Sequence, residues 1–131
     1  MRGVRVAVVG FGNVGRAFVR TLALKRGVLS ERYGVSIDIV AVADSGGVAV
    51  KPNGFDGYEL LKLCEVPRSG VYAFSPYARR GVDLAEVYDK AAPDIHVELT
   101  PSNYTTGEPG YSNIILALRR GTHVVTANKA P

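Results

Sequence analysis

The sequence predicts an α/β domain, an open and mostly parallel sheet with helices on both faces. Three observations carry that expectation. Val4 to Val9 is almost continuously apolar, as a strand buried on both faces of a parallel sheet should be. A glycine-rich turn, a helical spacing of apolar residues and a second apolar strand follow it, which together make the parallel crossover unit. Strand and helix patterns then alternate to the end of the chain with short connections.

Taken in order, Gly10 to Gly15 forms the turn after the first strand. Val14, Ala17, Phe18, Thr21 and Leu22 recur at helical spacing, and Gly27, just past Lys25 and Arg26, reads as the helix stop. Val28 to Ser36 lengthens the connection to a second strand at Ile37 to Ala43, which ends at Asp44-Ser45-Gly46-Gly47. Asp56 and Glu59 have capping-box spacing ahead of Leu60, Leu61 and Leu63, so a short helix begins there. Asp83 and Glu86 repeat the device before Val87 and Tyr88, and Pro93 closes that helix. The segment from Gly70 to Pro76 reads equally as a short strand or a loop. Ile95 to Leu99 is a strand; Pro109 opens a helix that carries Tyr111, Ile114, Ile115 and Leu118 on one face. Gly121 ends it, and Thr122 to Thr126 is the last strand.

The 131 residues suit one domain with one ordinary core. A composition 47% apolar and 21% charged is that of a soluble globular protein. No apolar run reaches the roughly 18 residues of a membrane span, and Met1-Arg2-Gly3 leads into a strand pattern rather than a secretory signal. Cys64 is the single cysteine; it allows no intrachain disulfide and sits in a helical pattern as a packing residue. A cytoplasmic location is the expectation. The net charge of +4 comes from scattered basic residues, including the pairs Arg79-Arg80 and Arg119-Arg120, with no basic stripe interleaved with aromatics. Neither nucleic acid nor membrane is therefore expected as a partner. His96 and His123 lie within strands beside apolar residues and read as satisfied sheet histidines; no cysteine or histidine cluster has metal spacing.

Gly10-Phe11-Gly12-Asn13-Val14-Gly15 is the G-x-G-x-x-G pattern in its informative context, after an apolar strand and before an amphipathic helix. Gly10 permits the tight turn, Gly12 lets a pyrophosphate approach the backbone, and Gly15 lets the helix lie close to the sheet. First-turn amides and the positive helix end then face the phosphates. Such a Rossmann-type turn implies NAD or NADP. Asp44, at the end of the second strand, stands where a carboxylate can accept hydrogen bonds from the adenosine ribose and repel the extra phosphate of NADP. It also suits a turn before Ser-Gly-Gly. Ser45 can bond either ribose or phosphate, and Lys51 is near enough in sequence to reach a 2′-phosphate, or else is a solvated loop charge.

The late strand ends are more specific. Val97-Glu98-Leu99-Thr100-Pro101-Ser102-Asn103 and Val124-Val125-Thr126-Ala127-Asn128-Lys129-Ala130-Pro131 are not generic dinucleotide motifs. With the glycine turn and Val42-Ala43-Asp44-Ser45, they make the chain resemble the amino-terminal domain of homoserine dehydrogenase over essentially its whole length. That family reversibly oxidises L-homoserine to L-aspartate-4-semialdehyde with NAD or NADP, on the route to threonine, methionine and isoleucine. The resemblance implies that Thr100, Pro101 and Ser102 line the cofactor near its nicotinamide end. It places Asn128 and Lys129 where cofactor and substrate meet, with Lys129 assisting binding or proton transfer. Some family members carry an arginine directly after the acid equivalent to Asp44; this chain has Ser45.

By the same resemblance, residues 1–131 are one NAD(P)-binding domain, and the carboxy-terminal domain that holds the substrate and makes most of a homo-oligomer interface lies outside this chain. A stand-alone module that binds NAD(P) without catalysis is the competing expectation. A phosphorylating semialdehyde dehydrogenase would need a nucleophilic cysteine at a strand end, and a methyltransferase would bind S-adenosylmethionine at the same turn. Glu98, within a buried-looking strand, calls for either a cationic partner or a place toward the cleft.

Overall fold

The computed structural model describes residues 2–74 and 76–131. Its strands are β1 (Arg2–Val9), β2 (Val35–Ala43), β3 (Gly47–Val50), β4 (Ala78–Arg80), β5 (Ile95–Glu98) and β6 (His123–Thr126). Its helices are α1 (Asn13–Tyr33), α2 (Gly57–Leu63), α3 (Leu84–Ala91) and α4 (Gly110–Arg119). The strands form one sheet in the order β4-β3-β2-β1-β5-β6. β2, β1, β5 and β6 are parallel, while β3 and β4 add antiparallel at one edge. The α/β, mostly parallel expectation therefore holds, with an antiparallel extension that the sequence pattern did not disclose. The segment read as strand or loop contains a single 3₁₀ turn, Val71–Ala73, and Ser75 within it lies outside the described residues.

Each face of the sheet has its own core. Val4, Val6 and Val8 of β1, with Ile37, Ile39 and Val42 of β2, pack under α1 and α2. Ala7 and Val9 of β1, with Ala41 and Ala43 of β2, pack toward Leu84 and Val87 of α3 and Leu116 of α4. Along β2 the inward parity changes from odd to even positions. The pairing of β1 with β2 slips by one residue between Val6 and Ala7, leaving Val40 as the extra residue. A bulge of this kind lets one strand present both sets of apolar side chains inward.

The α1 helix runs past Gly27 and ends at Gly34, whose φ of 63° is the left-handed conformation that suits a helix stop. Gly27 lies in its interior, exposed, with open space where a Cβ would be. Gly27→Ala should therefore stabilise the fold by about 0.5–1 kcal/mol through helix propensity alone. A urea melt would show this as a higher midpoint with unchanged slope, and a lower midpoint would refute it. The inward stripe of α1 is Gly15 and Val19, with Phe18, Leu22 and Ala23 beside them; Val14, Ala17 and Thr21 are exposed.

Asp56 and Glu59 form the full reciprocal capping box of α2. Asp83 makes only half of one: its carboxylate accepts from the Glu86 amide, but Glu86 turns outward to Arg79 and Lys90. That ion pairing replaces the reciprocal bond the spacing suggested. Pro93 lies just beyond the α3 cap, Ala92. On α4 the buried positions are Gly110 and Ala117, with Asn113 and Leu116 half-buried, whereas Tyr111 and Leu118 are exposed. Gly110 fixes that rotation, because its α-carbon abuts the Asn128 side chain so closely that a Cβ would collide with it.

Candidate functional site

The carboxyl ends of β1, β2 and β5 open onto a cleft of about 1150 Å³, lined by the glycine turn, the end of β2, the start of α3, and Thr100 and Pro101. Ligands of open α/β sheets bind at such an edge, where the strand order reverses on either side of the first strand.

The turn is shaped by its glycines. Gly10 has φ of 106°, and a Cβ there would strike the Leu99 backbone. A Cβ on Gly15 would run into the Gly10 carbonyl, so α1 starts hard against the turn. Gly12 differs: its Cβ would meet only the Arg68 guanidinium, at 3.5 Å. No contact inside the fold requires Gly12 to be bare, whereas a ligand approaching the backbone would. The α1 N-terminus has no side-chain cap and no acidic residue in its first turn. Its amides and its positive dipole end are thus available to an anion. Phe11 is buried, while Asn13 and Val14 are exposed on the cleft wall. These features fit a dinucleotide pyrophosphate.

Arg16, one residue beyond the motif, stacks on Phe11 with 4.7 Å to the ring centroid. It donates to the carbonyls of Phe11 (3.1 Å), Cys64 (2.9 Å), Val66 (2.5 Å) and Pro67 (3.2 Å). It thereby fastens the loop after α2 against the turn. The motif did not signal this residue, since three of its four acceptors lie 48 to 51 positions away. Cys64 is buried under the same contact; burial pushes its thiol upward, which agrees with a packing residue.

Asp44 sits at the cleft, but its carboxylate is already engaged. Oδ1 accepts from the Gly46 and Gly47 amides (2.8 and 3.1 Å), and Oδ2 from the Val71 amide (3.1 Å). It closes the β2–β3 turn and ties the 3₁₀ segment to it, which takes most of its accepting capacity. Ser45 lies beside it, exposed, with its hydroxyl 2.5 Å from that of Ser69. Lys51 is not brought to the cleft. The antiparallel return of β3 carries it away from the end of β2, to Glu59 at 2.7 Å and over the Tyr77 ring. The Glu59 contact raises the Lys51 ammonium. Burial pushes Glu59 up, yet its bonds from Lys51 and the Asp56 amide bring it below the ordinary value.

Thr100 and Pro101 line the cleft, and Ser102 lies outside its wall. Asn128, nearly buried, staples the two late strand ends together. Its Nδ2 donates to the Thr100 hydroxyl (3.1 Å) and the Pro101 carbonyl (3.4 Å), and its Oδ1 accepts from Ser102 (2.9 Å) and the Ala130 amide (3.0 Å). Lys129 is exposed and outside the cleft wall. Behind Thr100 runs a buried polar chain that includes His96 and Glu98, both fully buried. Tyr88 bonds His96 Nδ1 (2.7 Å), His96 Nε2 bonds Glu98 Oε1 (2.6 Å), and Glu98 Oε2 accepts from Thr100 and from Asn113 (3.1 Å). Glu98 thus has both a partner and a link to the cleft. His123 is exposed on the edge strand. Among the described residues no cluster could hold a metal ion, and no helix is long and apolar enough to cross a membrane.

The family profile described as Glutamate/Leucine/Phenylalanine/Valine dehydrogenase matches residues 1–97. Over 127 residues the chain is 35% identical to the homoserine dehydrogenase of Methanocaldococcus jannaschii, covering 96% of this chain and 37% of that protein. It is 35% identical to the NAD(+)-dependent homoserine dehydrogenase of Pseudomonas canavaninivorans, covering 100% and 37%. A hyperthermophilic archaeal homoserine dehydrogenase mutant solved in complex with NADPH superposes with a TM-score of 0.76 at 26% identity, covering 98% of this chain and 37% of that one. The resemblance drawn from the strand ends is thus matched along the whole chain, which spans about a third of the length of these relatives.

Proposed function

Since this chain belongs to the Glutamate/Leucine/Phenylalanine/Valine dehydrogenase family and aligns along its whole length with homoserine dehydrogenases, we propose that it is the NAD(P)-binding domain of an enzyme that reversibly oxidises L-homoserine to L-aspartate-4-semialdehyde. The observation that carries the reading is the bare Gly12 on the cleft side of an uncapped α1, a cradle that any side chain would fill. The family profile stops at residue 97, before the Thr-Pro-Ser-Asn and Asn-Lys-Ala-Pro segments, so the choice of substrate rests on those segments and on the relatives that share the full span.

In this reading Gly10 to Gly15 hold the pyrophosphate and the end of β2 receives the adenosine ribose. Thr100 and Pro101 meet the nicotinamide side, with Ser102 and Asn128 fixing their position. When bound, the nicotinamide ring supplies the hydride chemistry, and the protein orients it and excludes water. Lys129 is the candidate to neutralise charge on the substrate oxygen as its proton leaves. Substrate side chains come from the part of the enzyme beyond this domain, which also forms a homo-oligomer, in the cytoplasm. The relatives being enzymes, a module that binds cofactor without catalysis is not favoured.

The test is turnover of the complete protein with L-homoserine, set against glutamate, leucine, phenylalanine and valine. Reduction of NAD or NADP with homoserine alone supports the reading, and turnover only with one of the others overturns it. Lys129→Ala should lower kcat by about 10²-fold or more, within the range of a lost proton-transfer or charge-stabilising group. Cofactor affinity should change less than threefold on the scale where about 1.4 kcal/mol is tenfold. Full turnover in that variant would remove Lys129 from the chemistry.

A further inference from the structure

The relatives differ in the cofactor their names carry, NAD(+) in one and NADPH in another. In this chain, we propose, Arg68 together with Ser45 and Ser69 recognises the 2′-phosphate of NADP, and Asp44 is a structural residue rather than the ribose carboxylate. The inference rests on the dinucleotide reading above.

Arg68 was not visible as a site residue from sequence, because it lies in the loop after α2, outside every motif. The fold brings it to the cleft wall, beside the glycine turn. Its guanidinium lies 3.5 Å from where a Gly12 Cβ would stand, and Nη2 donates to the Asn13 amide oxygen at 2.6 Å. Among the described residues it has no ion-pair partner, so a full positive charge faces the cleft supported only by a neutral acceptor. The loop that carries it is pinned through Arg16, which holds the carbonyls up to Pro67. Ser69, next along, has φ of 58° and places its hydroxyl against that of Ser45. Ser45, Ser69 and Arg68 all line the cleft, the two hydroxyls against each other beside the end of β2 and the guanidinium against the glycine turn, donors suited to a phosphate.

The opposing charge is muted there. A carboxylate at the end of the second strand selects NAD by accepting ribose hydroxyl bonds and repelling the extra phosphate. Asp44 gives its oxygens to three backbone amides instead. The pyrophosphate has its own donors in the first-turn amides of α1, which leaves Arg68 for the phosphate that only NADP carries.

The experiment is titration of the protein and two variants with NADPH and, separately, NADH. The parent should prefer NADPH by tenfold or more, the factor that about 1.4 kcal/mol makes. Arg68→Gln should remove most of that preference by weakening NADPH alone. Ser45→Asp should do the same and shift the balance toward NADH. An unchanged preference in Arg68→Gln overturns the proposal, as does a parent that prefers NADH. Equal weakening of both cofactors also overturns it, since it would put the guanidinium on the pyrophosphate they share. If the folded parent bound neither, the dinucleotide reading itself would fall; NADH binding without NADPH preference would fell only the Arg68 assignment.

Discussion

Gly12→Val should leave the fold standing and reduce NADH and NADPH affinity by at least about 100-fold, the factor that about 2.8 kcal/mol makes. The three glycines of the motif separate here by what their missing side chains face. At Gly10 and Gly15 a Cβ would enter backbone of the protein itself, against Leu99 and against the Gly10 carbonyl. Even alanine at either position must push strand, turn and helix apart, so those variants should lose stability first and binding with it. At Gly12 the space is open apart from the end of the flexible Arg68 side chain, and φ of −89° lies outside the left-handed region that favours glycine. Valine there therefore fills only the volume where a pyrophosphate would lie against the helix amides. Thermal unfolding of the variant should match the parent while cofactor titration fails. Affinity within a few-fold of the parent would mean that the phosphates do not sit on this turn.

What was legible in the sequence was what local pattern controls. The β1–turn–α1 unit, the α2 capping box and the two late strand ends all follow from spacing that neighbours in sequence enforce. Three kinds of feature escaped it. The β3–β4 extension consists of four and three residues, too short for a periodic signal. The length and rotation of α1 and α4 are set by tertiary contacts: Gly27 is tolerated inside a helix whose inward face is held by Gly15 and Val19, and Gly110 turns α4 to fit Asn128. Side-chain roles at the cleft were the third. Asp44 had two readings, and which amides it meets depended on a turn and a 3₁₀ segment brought together only by folding. Arg16 and Arg68 carry no motif, because their work is done across long stretches of chain. Residue type at a strand end indicated where the site is, but not which side chains remain free to use.

Glu98→Ala should cost about 2–4 kcal/mol of folding stability, from a buried donor left unpaired and the cavity beside it. Against a total of about 5–15 kcal/mol for a domain, that is a large fraction. The reason lies in the direction of each bond. Burial pushes the Tyr88 phenol up to about 12, so it keeps its proton, and it shares a hydrogen bond of 2.7 Å with His96 Nδ1. At its other nitrogen, Nε2, the imidazole meets the Glu98 carboxylate, an acceptor, and donates to Oε1. Thr100 and Asn113 donate to Oε2, and Asn128 in turn donates to the Thr100 oxygen. Glu98 is thus the acceptor at which donors from β5, the loop after it and α4 converge, and no buried side-chain polar atom among the described residues lacks a partner. Alanine strands the fully buried His96 donor at about 1–3 kcal/mol, whereas Thr100 and Asn113, half-buried on the cleft wall, can turn to water. Glu98→Gln keeps an acceptor oxygen and most of the volume, so it should cost less, though its amide hydrogens must face one of the three donors. Urea unfolding of the two variants gives the comparison. A midpoint for Glu98→Ala within about 1 kcal/mol of the parent would mean that water replaces the carboxylate, and that the anchoring of Thr100 at the cleft wall does not run through Glu98.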